Sequence, residues 1–417
     1  MFEFDLAVIG LGYVGMPLAC EASVNGLRVV GVDVDGAVVD DLRAGRSPVR
    51  DVTDADLRLM RGRGFTATTS GAPVAVAKTV VICVPTPLDT QRQPDMSAVR
   101  SAARLVAAHL SAGSLVVLES TVRPGATDEV VRPILEESGL VAGVDFHLAF
   151  SPERIDPGNA EFGLRNTPKV VGGHTPACTA AAEEFYAQIV DKVVVVRGTR
   201  EAEMVKLLEN TYRYVNIGLV NEMLMLSGGL GVDFWEVVDA AATKPFGFQA
   251  FAPGPGVGGH CIPVDPMYLS HRLRELGHES RFIDVADRVN EEMPHHVARR
   301  VTDLLSAAEV DVSGASVALL GVTYKQDVAD VRESPAVPLV RCLRAAGATV
   351  GFHDPYVDEM SVDGTAMPAF GTLADVSAAD IVVVLQQHQA YLGDELRGAR
   401  RVLDTRGFLR GDNVVRL

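Results

Sequence analysis

The sequence predicts an α/β chain: two doubly wound parallel sheets, one in each end region, joined by a central helical domain with a long spine helix. Three observations carry this. Short apolar runs alternate with helix-length stretches over the first half of the chain, and again from residue 314 onward. A glycine turn separates the first apolar run from the first helical one. Between the two α/β regions, residues 199–232 keep helical periodicity without an internal proline. The expected domains are 1–198, 199–297 and 298–417.

The first element pair is the most specific. FEFDLAVIGLGYVGMPLACEASVNGLRVVGVDVD, residues 2–35, reads as strand, turn, helix and strand. Gly10, Gly12 and Gly15 have the spacing GxGxxG, with Tyr13 and Val14 inside the turn. The first glycine permits the tight turn, the second lets a pyrophosphate approach the backbone, and the third lets helix and strand pack closely. A diphosphate would sit on the helix N-terminus, where free N–H groups and the dipole favour anions. Asp33 follows the second strand, where a carboxylate accepts hydrogen bonds from a ribose and repels a 2′-phosphate. The expected cofactor of this Rossmann-like unit is therefore NAD rather than NADP.

Further strands are read in TVVICVPTP (79–87), SLVVLEST (114–121) and FHLAFSPE (146–153). Each ends in a small or polar cluster: Pro85-Thr86-Pro87, Ser120-Thr121 and Ser151-Pro152-Glu153. Ligands of doubly wound sheets lie outside the carboxyl ends of the strands, where these clusters fall, so Thr121 and Glu153 are either plain turn and cap residues or catalytic or nicotinamide-facing ones. The C-terminal region repeats the alternation without the fingerprint: strands in 315–325, 348–355, 379–388 and 400–407, and a helix in 334–347. Its loop of Lys325, Asp327, Asp330, Arg332 and Glu333 suits a bound anion or a solvated turn.

On the spine, whose stop is expected at Gly228-Gly229, Glu203, Lys206, Asn210 and Arg213 fall on one face. They are either a solvated charge stripe or, through Lys206 and Asn210, a donor site for an oxyanion. The spine's apolar side is expected to pack in a homodimer. Beyond it, GPGVGGHCIPVDP (254–266) presents Cys261 among four glycines. The thiol is either a small buried hydrophobe or a nucleophile, and glycines this dense suit a ligand pressed on the backbone.

Composition narrows the classes. With 417 residues, 47% hydrophobic, the chain has material for two or three cores. A formal net charge of -16 argues against nucleic acid as a partner. Five scattered cysteines without a CxxC pair argue against a disulfide framework or a zinc knuckle, and adjacent His260-Cys261 lacks metal-ligand spacing, so no metal is expected. No apolar run reaches transmembrane length; no membrane partner and a cytoplasmic location are expected.

The motifs VIGLGYVG (8–15), VPTP (84–87), ESTVRPG (119–125), SPER (151–154), EMVKLLENTYR (203–213), GGHCIPVDP (258–266) and GVTYKQDVADVRESP (321–335) together resemble the UDP-glucose/GDP-mannose dehydrogenase family, in order along the chain. The resemblance implies an NAD-dependent four-electron oxidation of a nucleotide-sugar C6 alcohol to a uronic acid. It implies Cys261 as nucleophile, and Lys206 with Asn210 as stabilisers of the alkoxide and oxyanions. Asp265 and Thr121 would position the proton-transfer water, and Glu153 would serve hydrolysis as acid/base. Cofactor contacts would come from the glycine turn, Asp33, Pro85, Thr86, Thr121 and Arg332. Substrate contacts would come from Arg154, Lys206, Asn210, Arg213, Gly258, His260, Lys325 and Arg406. GGHCIPVDP and SPERIDPG are similar to the branch that oxidises UDP-N-acetylhexosamines, whereas UDP-glucose enzymes typically read GGSCFPKD. His260 would then sense an acetamido group or be hydrogen-bonded within its loop. A second carboxylate typical of the UDP-glucose enzymes is replaced by Pro157. Alternatives are a UDP-glucose or GDP-mannose dehydrogenase, a two-electron hydroxyacid dehydrogenase, or a non-catalytic NAD-binding regulator; the last two have no use for Cys261.

Overall fold

Strands covered on both faces must be apolar at every position, not at every second one. FDLAVI (β1, Phe4–Ile9) meets that demand over its last four residues, and VVGV (β2, Val29–Val32) meets it throughout. So does β5 (Leu115–Leu118), while β4 (Ala77–Ile82) does so only over its last three residues and β6 (His147–Phe150) after its opening histidine; the short β3 (Thr66–Thr68) lies at the sheet edge. With β7 (Lys169–Gly173) and β8 (Val193–Val195) they form one sheet in the order β3-β2-β1-β4-β5-β6-β7-β8. Alternate residues of β1 feed opposite faces: Leu6 and Val8 pack into one core, Ala7 and Ile9 into the other. Burying each such Val or Leu contributes roughly 1.5–3 kcal/mol. The computed structural model describes residues 2–49, 51–156, 159, 161–259, 261–393 and 395–417.

The sheet is parallel except where β6 meets β7. A parallel neighbour requires a crossover, usually a helix. The described residues of the 151–168 connection contain none, and the chain turns back on itself.

The second sheet has the order β10-β9-β13-β14-β15, parallel throughout, from β9 (Ser316–Leu320), β10 (Thr349–His353), β13 (Ile381–Val384), β14 (Val402–Asp404) and β15 (Val414–Arg416). A small hairpin, β11 (Ser361–Val362) with β12 (Thr365–Ala366), stands apart from it. One face of β9 packs under the helices Arg281–Ser306 and Ala336–Ala345, and the other under a separate cluster around Val382 and Tyr391.

Two compact units result: Met1–Glu209 with Met267–His278, and Asn210–Pro266 with Glu279–Leu417. The spine helix runs Thr199–Leu230, about 48 Å at 1.5 Å per residue. It continues through Gly228-Gly229, against expectation, and stops at Gly231, which adopts the left-handed φ of 66° that ends helices. Inside the second unit, Gly218 lets this helix approach the Arg281–Ser306 helix so closely that an added Cβ would sit 3.0 Å from that of Ala286.

Candidate active site

The glycine turn is built for a ligand at one position and for packing at two. A Cβ on Gly10, whose φ is 94°, would stand 2.6 Å from the Cys83 carbonyl oxygen, and one on Gly15 would strike the Gly10 carbonyl. At Gly12 nothing lies within 4 Å. The helix Gly15–Val24 begins without a side-chain cap and without an acidic residue in its first turn, so its leading N–H groups suit a phosphate. Tyr13 is exposed and Val14 packs on the core. Asp33 Oδ2 accepts from the Leu11 amide at 2.7 Å and Oδ1 from the Asp35 amide at 2.9 Å, fixing a carboxylate beside the turn. These features fit a dinucleotide: Gly12 and the helix end would hold its diphosphate, and Asp33 its ribose.

The strand-end clusters of this unit are tied together. Ser120 Oγ accepts from the Val84 amide at 2.9 Å and donates to the Val84 carbonyl at 2.7 Å, pinning the loop of Pro85 and buried Thr86 to the next strand end. Tyr268 OH reaches the Pro87 carbonyl at 3.3 Å. Thr121 Oγ1 accepts from Lys206 Nζ at 2.7 Å, with the Lys206 side chain nearly buried. One turn earlier, Glu203 accepts from the Gly125 amide (2.5 Å), the Thr127 amide (2.8 Å) and Thr127 Oγ1 (2.7 Å). Burial pushes the Glu203 carboxyl up to about 7, opposed by these donors. Glu153 is buried; its Oε1 accepts from the Ile155 amide at 2.5 Å and its Oε2 faces Lys169 Nζ at 3.7 Å. Arg154 is engaged by Glu209 (2.6 Å) and the Pro168 carbonyl (2.7 Å).

In the second unit, Asn210 Nδ2 donates to buried Asp265 Oδ2 at 2.6 Å. Asp265 opens the helix Asp265–Glu275, and its amide donates to the Cys261 carbonyl at 2.8 Å. This turn fixes the cysteine's place relative to the Asn210–Asp265 pair. Cys261 is exposed, unlike Cys83 and Cys178, so it is not a core residue. His260 and Pro157 lie outside the described residues. Arg213 is exposed on the spine.

On the side where a Cβ would stand, the glycines before Cys261 press on protein. A Cβ on Gly258 would meet Tyr324 Cβ at 2.7 Å and the Glu333 carbonyl at 2.8 Å; on Gly259, the Tyr324 ring at 2.7 Å. At Gly254 the intruding Cβ would stand 2.8 Å from the Arg406 guanidinium. The Gly259 amide donates to the Arg332 carbonyl at 3.1 Å, and the Gly254 amide to Asn221 Oδ1 at 3.0 Å. Asn221 also bonds Asn290 at 2.9 Å. The cysteine loop is thus seated on the segment that carries Lys325 and Arg332. The Arg332 guanidinium grips Asp330 at 2.6 Å. Arg406 donates to the Leu385 carbonyl at 2.7 Å; burial lowers it to about 10, opposed by Asp404.

The loop 323–333 rests on one buried imidazole. His388 Nδ1 accepts from the Asp327 amide at 2.9 Å, which places the ring proton on Nε2, facing Thr323 Oγ1 (3.1 Å) and Asp354 Oδ2 (3.3 Å). Sequence reading missed His388, Asn221, Glu203's loop and Lys169, since each acts through partners tens of residues away.

Three family models cover the chain. The NAD binding domain of the UDP-glucose/GDP-mannose dehydrogenase family matches residues 4–190, its central domain 200–292, and its UDP binding domain 318–413. The chain belongs to this family. It is an NAD-dependent oxidoreductase of the UDP-glucose/GDP-mannose dehydrogenase family, with a domain of the kind that binds UDP at its C-terminal end. Among family members it is similar to a UDP-N-acetyl-D-glucosamine 6-dehydrogenase of Salmonella typhi, 34% identical over 99% of this chain and 95% of the relative. It is also similar to an NDP-N-acetyl-D-galactosaminuronic acid dehydrogenase of Ralstonia nicotianae, 36% identical over 97% of this chain and 96% of the relative. A solved UDP-D-ManNAc dehydrogenase from Pyrococcus horikoshii matches with a TM-score of 0.90 at 32% identity, covering 99% of this chain and 98% of that one. Among the described residues no helix is long and apolar enough to cross a membrane, and no group of three or more His, Cys, Asp or Glu side chains is arranged to hold a metal ion.

Proposed function

We propose that this enzyme oxidises the C6 hydroxyl of a UDP-N-acetylhexosamine to the corresponding uronic acid through covalent intermediates on Cys261. Bound NAD supplies the hydride acceptor for both oxidations. The chain's own residues do the rest. Lys206 and Asn210 stabilise negative charge on the C6 oxygen. The Cys261 thiolate adds to the aldehyde carbon, forming a C–S bond and a thiohemiacetal whose oxidation leaves a thioester. Water then attacks the acyl carbon, passing a proton to Glu153, and the C–S bond breaks to return the thiolate and release the carboxylate. Thr121 and Asp265 position the proton-transfer water. Gly258, His260, Arg154 and Arg213 serve the sugar, Lys325 and Arg406 the nucleotide, and Arg332 the cofactor phosphates.

The observation that supports this reading best is Cys261: an exposed thiol on a loop where a Cβ on Gly258 or Gly259 would overlap Tyr324, tied by its own carbonyl to the residue that Asn210 holds. The N-acetylhexosamine substrate rests on what the similar enzymes are named for and on the His260-Cys261 loop. In this reading residues 1–198 bind NAD, 199–297 carry catalysis and the subunit contact, 298–417 bind UDP, and the enzyme works as a cytoplasmic homodimer. The dimer is supported by an apolar seam on the spine: Tyr212, Leu219, Met223, Leu226 and Leu230 are exposed at alternating three- and four-residue steps, with Asn216 completing the heptad pattern.

The test incubates the protein with NAD and a panel of UDP-hexoses and UDP-N-acetylhexosamines while following NADH. Two NADH per sugar, with an N-acetylated substrate preferred, is expected. One NADH per sugar would end the four-electron reading; preference for UDP-glucose would move the enzyme to the other branch.

A further inference from the structure

The first unit hides an ionic cluster that the proposed chemistry touches at only one point. Glu119 follows β5, Glu153 follows β6 and Lys169 opens β7; all three are buried. Lys169 Nζ lies 2.9 Å from Glu119 Oε2 and 3.7 Å from Glu153 Oε2. At these distances the ammonium is held between the two carboxylates chiefly by charge. Tyr186 donates to the other Glu119 oxygen, and its ring lies 5.2 Å from the ammonium. Cys83 completes the surroundings. Arg154, next to Glu153 in sequence, is turned to Glu209.

One ammonium therefore serves two carboxylates in a dry interior. As a device for stability this is poor, because apolar side chains of similar volume usually do as well or better than buried ion clusters. Burial raises the Glu119 carboxyl, against the pull of Lys169. Burial would lower the Lys169 ammonium, but the two carboxylates outweigh it and hold it above its ordinary value. Burial also pushes Cys83 and Tyr186 well up, so both stay neutral. The charged neighbours of Glu153 in this cluster are then Glu119 and Lys169.

We propose that Lys169 is a positioning residue that holds Glu153 by charge for the hydrolytic step, and that Glu119, competing for the same ammonium, acts on Glu153 with the opposite sign. This rests on the reading of Glu153 as the base of thioester hydrolysis. In that step the water oxygen bonds to the acyl carbon, its proton moves to a Glu153 oxygen, and the C–S electron pair leaves with Cys261. The proton then passes to solvent. A base takes up that proton only as a carboxylate, so removing a charge beside Glu153 is read in the acid limb of the hydrolysis rate.

The two neighbours must act with opposite sign, which a merely structural role would not produce. The experiment follows decay of the acyl-enzyme by intact mass against pH, with the UDP-sugar that the panel shows to be turned over. Lys169→Met should move the acid limb up by about one pH unit or more, and Glu119→Gln should move it down. Glu153→Gln should slow hydrolysis roughly 100-fold and abolish the limb. If Lys169→Met does not fold, Glu119→Gln, which keeps shape and removes charge, carries the test alone. A limb unmoved by Glu119→Gln, or moved up, while Glu153→Gln still blocks hydrolysis, overturns this inference and leaves the role of Glu153 standing. Unimpaired hydrolysis in Glu153→Gln overturns both.

Discussion

Glu203 shows how much a single side chain of the spine decides. Its carboxyl takes three hydrogen bonds from Gly125 and Thr127 and so locks the segment after Thr121, the partner of Lys206. Burial raises it from an ordinary value of 4.5 to about 7. A carboxyl raised on folding contributes stability that is fully present below pH 4.5 and lost as pH climbs through about 7. At 1.36 kcal/mol per pH unit, the loss across that window is about 3 kcal/mol. Chemical denaturation at pH values on either side should show it, and Glu203→Gln should flatten the dependence. An unchanged slope in the variant would assign the pH effect elsewhere. In the sequence Glu203 was legible only as one member of a polar stripe with Lys206, Asn210 and Arg213. The stripe's face was readable from spacing, but its partners were not. Thr127 and Thr121 lie more than seventy residues from the spine residues they bind, and no periodicity reports a contact of that kind. The Cys261 loop carries the same lesson. Its rigidity was evident from Gly and Pro content, whereas what it presses on, Tyr324 and Arg406, emerges only from tertiary packing.

Among elements, the spine helix was the most legible and its end the least. Thirty-two residues without proline leave no other reading, but Gly228-Gly229 looked like a terminus. Glycine lowers helix propensity by about 1 kcal/mol, a cost that a long helix absorbs; only the residue that must turn left-handed, Gly231, ends it. The seam on this helix makes an element-level prediction. Leu219 and Leu226 are 53% and 57% exposed, and a heptad of such residues needs a partner. On the proposed dimer, the parent should sediment as a dimer and the double variant Leu219→Glu/Leu226→Glu as a monomer, because charges facing each other across the seam would repel and lose their water. A parent that is itself an active monomer, or a variant of unchanged mass, would remove the seam from the account. The antiparallel step from β6 to β7 was not legible, since strand direction depends on whether the connection crosses over, and residues 151–168 carry no pattern that says so.

For the whole molecule, both doubly wound sheets could be read because buried parallel strands announce themselves as unbroken apolar runs, and the glycine fingerprint marked where the first one binds its dinucleotide. The weak edge strands β3, β8 and β15, three residues each, carry too little sequence to be seen. The proposed chemistry centres on Cys261. Because that thiol is exposed, Cys261→Ser should leave stability within about 0.5 kcal/mol, so that loss of function and loss of folding are separable. A neutral hydroxyl is far less ionised near pH 7 than a thiol and cannot trap the aldehyde at a useful rate. The most direct measurement is single-turnover NADH formation by wild type and Cys261→Ser, with intact-mass analysis of each. The account predicts an acyl adduct on the wild-type chain and, in the folded variant, NADH production lower by orders of magnitude. A folded Cys261→Ser protein that forms NADH at the wild-type rate, two per sugar, would contradict it.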